Sequence, residues 1–452
     1  MTKDLTSGNI WNRIITFTVP VLLGNLFQQL YSMVDSIIVG RFVGKDALAA
    51  VGATGSINFM ILGFIVGLCG GVCVPVAKEF GAGRMDEMRK MSVIAILVCT
   101  TIGIITTIGT YLGTDAMLHS MKTPDNIIKD AYRYISIIFL GIPATLLYNV
   151  PANISRAIGD SKTPLYFLLL SAGLNTVLDL AFVCLFHMGV PGTAIATVIS
   201  QLVSGVLCIM YLRRKYEILH FHKEDWHVKW SKVRTSTVMG MSMGLQFSIT
   251  AIGSVVLQSA VNTLGSDTVA VVNVAMKIQL FITQPLEALG VTMATFCGQN
   301  SGARRQDRIY SGIKKAFVLM IGCSVFAFLI VLVGVGPLSE LFMKKAEMTG
   351  YIRSSIRQLL FVNSCFYVLL GSLLILRYAL QGLGHSVVAM GAGVFEMVGR
   401  CLVAFIAVSS LGFSAVCFAN PVAWFGANVL LVPVFIWVMK KKSRENATMK
   451  SV

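Results

Sequence analysis

Charge is scarce in this sequence. Only 13% of its 452 residues are Asp, Glu, Lys or Arg, about half the share of a soluble domain. With 55% hydrophobic residues and a mean hydropathy of +0.76, that scarcity excludes an ordinary soluble globule and indicates a polytopic membrane protein. The chain also lacks a Gly-x-x-x-x-Gly-Lys-Ser/Thr loop and a His-Glu-x-x-His pair. ATP-driven work and zinc hydrolase chemistry are therefore not expected, and uphill transport would have to draw on an ion gradient. Met1 to Asn12 is polar, so no cleavable signal is expected; Trp11 and Arg13 read as interfacial anchors of a first span. The ten cysteines all lie within or at the ends of apolar runs, which argues against a disulfide scaffold, and Cys69 and Cys73 read as packing residues. Acidic residues number 21 against 37 basic ones, a net charge of +16. The basic residues fall between apolar runs, so no nucleic-acid partner is expected.

What is present is a series of long apolar runs. Hydropathy predicts twelve spans, near 14–39, 47–76, 91–112, 131–153, 164–186, 191–212, 236–262, 268–297, 316–335, 351–376, 387–410 and 414–439. An even number puts both termini on one side. With that side inside, inner segments carry about 26 Lys or Arg against about 6 in outer loops, so both termini are expected in the cytoplasm. The longest polar stretch, 213–235, separates an amino-terminal six-helix lobe (1–212) from a carboxy-terminal one (236–440), and 441–452 forms a basic tail. The halves repeat. Asp46-Ala-Leu-Ala-Ala-Val matches Asp267-Thr-Val-Ala-Val-Val, and Gly81-Ala-Gly-Arg-Met-Asp86 matches Gly302-Ala-Arg-Arg-Gln-Asp307, both at a shift of about 221. Ala157-Ile-Gly-Asp-Ser161 matches Gly382-Leu-Gly-His-Ser386 at about 225. Six spans is even, so the repeat is parallel. The expected fold is all-α, with two parallel six-helix bundles related by a pseudo-two-fold along the membrane normal.

Few ionisable residues fall inside the spans: Asp35, Asp179, Lys277, Glu287, Glu396 and Arg400. A carboxylate in a span costs at least ~2.5 kcal/mol, so it is expected to face protein or water and to hold a proton or cation. Counting 1.5 Å per residue, Asp35 lies ~9 Å below the outer end of span one, Asp179 ~12 Å below that of span five, and Thr197 ~9 Å down span six. Asn175 is one helical turn from Asp179. These oxygens suit a hard monovalent cation, and a desolvated carboxylate can instead carry a proton; the other reading is two separate structural hydrogen-bonding sites. Pro20 lies roughly on the face of Asp35 and permits a kink, either static or a hinge. Glu396 and Arg400, at i and i+4, read as a structural ion pair. Gln28, Met33, Asn58, Met60, Lys277 and Glu287 are candidates for a substrate cavity, Glu287 through its charge and the methionines through their adaptability. His220, His222 and His227 fall in the linker and read as a solvated loop rather than a metal site.

With these residues on view, the layout resembles the multidrug and toxic compound extrusion (MATE) transporters along essentially the whole chain. The resemblance is carried by Met33-Val-Asp-Ser36, by Asn175-x-x-x-Asp179, and by Gly-Gln-Asn-x-Gly-Ala from Gly298 to Ala303. It implies a cation site made by Asp35, Asn175, Asp179 and Thr197, and a bending role for Pro20. Where one branch of that family places carboxylates in helices seven and ten, this chain has Thr250 and an acid-free stretch near Leu370. The pattern is more similar to the proton-coupled DNA-damage-inducible F branch, which fits a prokaryotic source.

The expected function is that of a monomeric, multi-pass antiporter of a prokaryotic cytoplasmic membrane, surrounded by lipid. It would export amphipathic cationic small molecules in exchange for protons or sodium by alternating access. No cofactor is expected, and no metal apart from sodium at the coupling site. The alternatives are a lipid-linked oligosaccharide flippase of the same superfamily and an intramembrane enzyme using Asp35 and Asp179.

Overall fold

The structure is a computed structural model that describes residues 4–121, 123–343 and 348–450, with side chains as far as 443. Lys122, Lys344 and Lys345, counted above among the outer-loop charges, lie outside it, as do the end of the tail and its side chains from 444. Among the described residues there is no strand. Ten helices are long and apolar enough to cross a membrane: α1 Ile10–Val43, α2 Lys45–Gly81, α3 Met85–Ser120, α5 Lys162–Leu185, α6 Val190–Lys215, α7 Trp230–Asn262, α8 Ser266–Gly302, α9 Gln306–Glu340, α11 Ser386–Leu411 and α12 Phe413–Ser443. Two bent pairs complete the twelve spans. They are α4, Asp125–Leu140 plus Ile142–Ala157 with a 43° bend, and α10, Gly350–Cys365 plus Tyr367–Gly382 with a 50° bend. In α4 the cause is Pro143, which opens the second segment without an N–H to donate backwards. In α10 there is no proline at the break; the Ser364 hydroxyl donates to the Phe361 carbonyl just before it, a bond that competes with the helical ladder.

The chain forms two compact units. Unit 1 holds 1–5 and 19–248, and unit 2 holds 6–18 and 249–452. The central linker therefore packs within unit 1 instead of standing free in solvent. Leu219, Tyr216 and Asp225 are buried there. Asp225 accepts from Arg89 Nε at 3.1 Å and from the His222 backbone N–H at 2.9 Å, and His220 Nε2 lies 2.7 Å from the Arg213 carbonyl. The boundary also falls inside two helices. The start of α1 belongs to unit 2, where Thr18 Oγ1 meets Thr292 Oγ1 at 2.9 Å and Arg308 donates to the Gly8 carbonyl at 2.9 Å. The first half of α7 belongs to unit 1, where it crosses α2 at backbone distance. A Cβ built on Gly71 would stand 2.5 Å from the Met239 carbonyl, and one on Gly67 2.6 Å from that of Met243. Gly240 and Gly244 face them from α7, so each helix contributes a Gly-x-x-x-Gly stripe. The segment Gly240-Met-Ser-Met-Gly244 also has the spacing of a hydrolase nucleophile turn, Gly-x-Ser-x-Gly. It lies mid-helix, however, and the buried Ser242 hydroxyl donates to the Val238 carbonyl at 2.7 Å, so there is no exposed elbow.

The two halves share backbone detail beyond their sequence matches. Left-handed turns occur at Gly44 and Gly265, Gly83 and Arg304, Gly159 and Gly384, and Gly189 and Gly412, each pair 221 to 225 residues apart. Arg304 is the informative member, because it holds φ 56° without being glycine, a conformation few side chains adopt. The fifth helix of each half also widens into a π-helical turn, Ala181–Leu185 in α5 and Val403–Ala407 in α11. The cores are ordinary aliphatic packing: Leu68, Ile94, Ile135, Phe139 and Ile142 in unit 1, and Val271, Ile278, Ile356 and Leu360 in unit 2.

Asp160 ties the start of α5 to the end of α6. It accepts from the Lys162 and Thr163 backbone N–H groups at 3.0 and 3.1 Å, from Lys215 Nζ at 3.0 Å and from Tyr216 Oη at 2.6 Å. Burial works against its charge, but these hydrogen bonds prevail and hold its carboxyl below the usual aspartate range. A carboxyl depressed in the fold contributes stability above the unfolded value, near 4, and loses it as pH falls through the folded value. Two outcomes are expected. Gly71→Leu should lower the melting temperature of the purified protein, overpacking of this kind costing about 1–3 kcal/mol or more. The melting temperature of wild type should fall more steeply than that of Asp160→Asn between pH 6 and pH 3; parallel curves would remove the role given to Asp160.

Candidate functional site

The residues singled out by depth meet inside unit 1. Asp35 is on α1, four residues before the π-helical turn Val39–Val43, and Asp179 is on α5, two residues before Ala181–Leu185. Such turns admit an extra residue and locally reorient side chains, and they concentrate at functional positions. The two carboxyl groups lie close enough to act directly on one another. Asp179 is fully buried and neither of its oxygens has a hydrogen-bond donor; Oδ1 of Asp35 is also buried without one. Among the described residues neither aspartate forms an ion pair with Lys, Arg or His. Two carboxylates can bond to each other only when one of them carries a proton. Asp179 is buried while Asp35 is half-buried, and two bare charges so placed would be opposed by desolvation and by each other.

Thr197, on α6, is a hydrogen-bond hub. Its hydroxyl donates to the Thr193 carbonyl at 3.0 Å. That leaves two lone pairs, which receive Asn175 Nδ2 at 3.3 Å and Tyr31 Oη at 3.1 Å. All of its capacity is used, and the Asn175 amide is turned nitrogen-first towards it. Tyr31 and the buried Tyr134 of α4 both lie within the electrostatic reach of Asp35 and Asp179. Neither was singled out in the sequence. Tyr31 had a usable signal, standing one helical turn before Asp35 on the same face. Tyr134 had none, because nothing in a span's composition says which neighbour it faces.

The remaining candidates do not join this group. Gln28, Met33 and Lys277 are exposed, while Asn58 and Met60 are half-buried. The Asn58 carbonyl oxygen is without a donor, and the Met60 backbone carbonyl accepts from Ser248 Oγ at 3.1 Å. Glu287 is fixed by a hydrogen bond from Tyr378 Oη, which links α8 to α10. Glu396 does face Arg400, but at 3.7 Å, and its shorter partner is Arg377 at 2.8 Å. The expected two-residue pair is thus a buried triad of two arginines and one glutamate. Arg377 escaped notice because the apolar run of span ten stops at 376, whereas the helix continues to Gly382 and buries it. Arg400 also reaches the Thr250 carbonyl at 3.4 Å and Asn420 Oδ1 at 3.3 Å.

The MatE family model matches residues 20–181 and 241–406, one segment in each half. The chain belongs to the MatE family. Its members' function makes it a membrane transporter and not an enzyme, and the chain is a multi-pass membrane protein. Among its relatives, the probable multidrug resistance protein YpnP of Bacillus subtilis (strain 168) is 29% identical over 306 residues, 68% of each chain. YoeA, another probable multidrug resistance protein of that strain, is 26% identical over 98% of this chain and 97% of its own. A crystal structure of MATE in complex with MaL6 superposes with a TM-score of 0.90 at 21% identity, covering 98% of this chain and 100% of that one. The twelve-helix fold is therefore that of this family.

The carboxylates give a sharp expectation. Neither oxygen of Asp179 has a donor, so Asp179→Asn should leave the melting temperature unchanged or raise it, the gain in unfolding free energy being at most about 1–3 kcal/mol. A clear loss of stability, measured by thermal unfolding of the purified protein, would mean that Asp179 carries structural bonds.

Proposed function

We propose that this transporter is a multidrug exporter that exchanges amphipathic, cationic small molecules for protons, or for sodium, with Asp35 and Asp179 as the coupling pair. The observation that carries this reading is the pair itself: two neighbouring carboxylates on α1 and α5, with three of their four oxygens buried without a donor and neither paired with Lys, Arg or His among the described residues. A bound proton or cation would neutralise them. Asn175 is a candidate ligand beside them. Thr197 is the further candidate of the group, and its hydroxyl also positions Asn175 and Tyr31. The names of the relatives YpnP and YoeA support drug-sized substrates. The cytoplasmic placement of both termini rests on the charge bias of the loops.

Pro20 supplies the mechanical part of the proposal. It is buried and lies two residues beyond Thr18, where α1 passes from unit 2 to unit 1. A helix missing one backbone bond at that point bends there most readily. Neutralising Asp35 would change the α1 segment after the proline while the segment before it stays with unit 2. Cation entry and substrate release would then be coupled reciprocally, each lowering the affinity for the other.

The deciding measurement is efflux of ethidium from proteoliposomes under an imposed proton or sodium gradient, for wild type, Asp35→Asn and Asp179→Asn. Gradient-driven efflux should fall by at least an order of magnitude in both variants, and the gradient that drives wild type names the ion. Undiminished gradient-driven efflux by well-folded Asp35→Asn protein would overturn the assignment.

A further inference from the structure

We infer that unit 1 carries a binding site for an anionic phospholipid, with one acyl chain inserted between α3, the second segment of α4 and α6, and the headgroup phosphate at Arg213. The geometry is a cavity of about 360 Å³. Cys99 of α3, Leu147 and Pro151 of α4 and Ile209 of α6 form its walls, and Phe221 of the linker closes one end. It exists because α4 bends 43° at Gly141, which swings its second segment away from a straight path beside α3. The lining is almost wholly apolar, so water gains little there, and an empty space of this size would forfeit van der Waals contacts on every side. The surrounding helix faces are apolar and outward: Ile104 and Ile108 of α3, Leu140 of α4, and Val206 and Met210 of α6 are all exposed. An acyl chain can therefore enter directly from the hydrocarbon.

Arg213 makes the choice of lipid. It lines the cavity at its linker end, is exposed, and forms no ion pair among the described residues. Arg214 follows it, also exposed. A guanidinium at the mouth of an apolar slot between membrane helices matches a phosphate above an acyl chain, and it repels the cationic compounds proposed as transport substrates. The bound lipid would brace the bend of α4 and hold the linker segment through Phe221. Tyr134 lies on the other segment of the same bent helix, so occupancy of the slot and the shape of the coupling site share one element.

The test uses full-length protein in detergent, delipidated and titrated with phosphatidylglycerol or with phosphatidylcholine of the same chains, followed by native mass spectrometry and thermal unfolding. One phosphatidylglycerol should bind per chain ahead of any other lipid and raise the melting temperature. Arg213→Gln should weaken that binding about fivefold, the worth of one basic residue near a charged lipid surface, and leave phosphatidylcholine unaffected; Arg213→Lys should restore most of it. Leu147→Trp, which fills the slot, should abolish the tight lipid. Equal phosphatidylglycerol binding by wild type, Arg213→Gln and Leu147→Trp would overturn the proposal. So would displacement of the lipid by tetraphenylphosphonium that is unchanged in Arg213→Gln, which would make the slot a cation pocket. If Leu147→Trp does not fold, the charge series at Arg213 decides alone.

Discussion

The structure depends on leaving two charges unanswered. Other buried acids find partners: Asp160 takes two backbone amides, a lysine and a tyrosine, and Glu396 takes two arginines. Asp35 and Asp179 are denied this, although hydroxyls and an amide stand close by. Thr197 spends its whole hydrogen-bonding capacity on Thr193, Asn175 and Tyr31. The polar shell is satisfied internally, and the carboxylates at its centre are not. That arrangement forgoes stability, a departure from local consistency of the kind found at functional sites.

The internal repeat sharpens the contrast. Corresponding left-handed turns and π-helical turns recur between the halves, down to an arginine forced into a glycine's conformation at residue 304. The buried charges do not follow the backbone. Unit 1 gathers carboxylates; unit 2 gathers the guanidinium groups of Arg377 and Arg400 around a single glutamate. One scaffold therefore holds two opposite electrostatic interiors.

Much of this was legible beforehand, for definable reasons. Spans follow from hydropathy, and the shared depth of Asp35, Asp179 and Thr197 follows from 1.5 Å per residue, because a helix in lipid has little freedom to place a residue elsewhere. What hydropathy cannot resolve is where a helix ends once it leaves the apolar run. Arg377 lies one residue beyond the apolar run of span ten, so the pair of Glu396 with Arg400 was legible and its closer partner was not. Nor does a polar segment announce whether it is docked: 213–235 has the composition of a solvated linker, yet Asp225 and Leu219 are buried. The Gly-x-x-x-Gly stripes of α2 and α7 were readable as a pattern, but only the fold pairs them.

The exchange of α1 and α7 has a consequence for the history of the chain. A tandem duplication normally leaves two copies that could part again, each a complete inheritance. Here the opening stretch of each half is housed in the other unit, and the groove in α2 is shaped by glycines to receive a backbone from beyond the linker. A break between the halves would strand half a helix on each side and uncover bare backbone in the membrane. Cut at the linker, neither half would therefore carry a complete unit of its own.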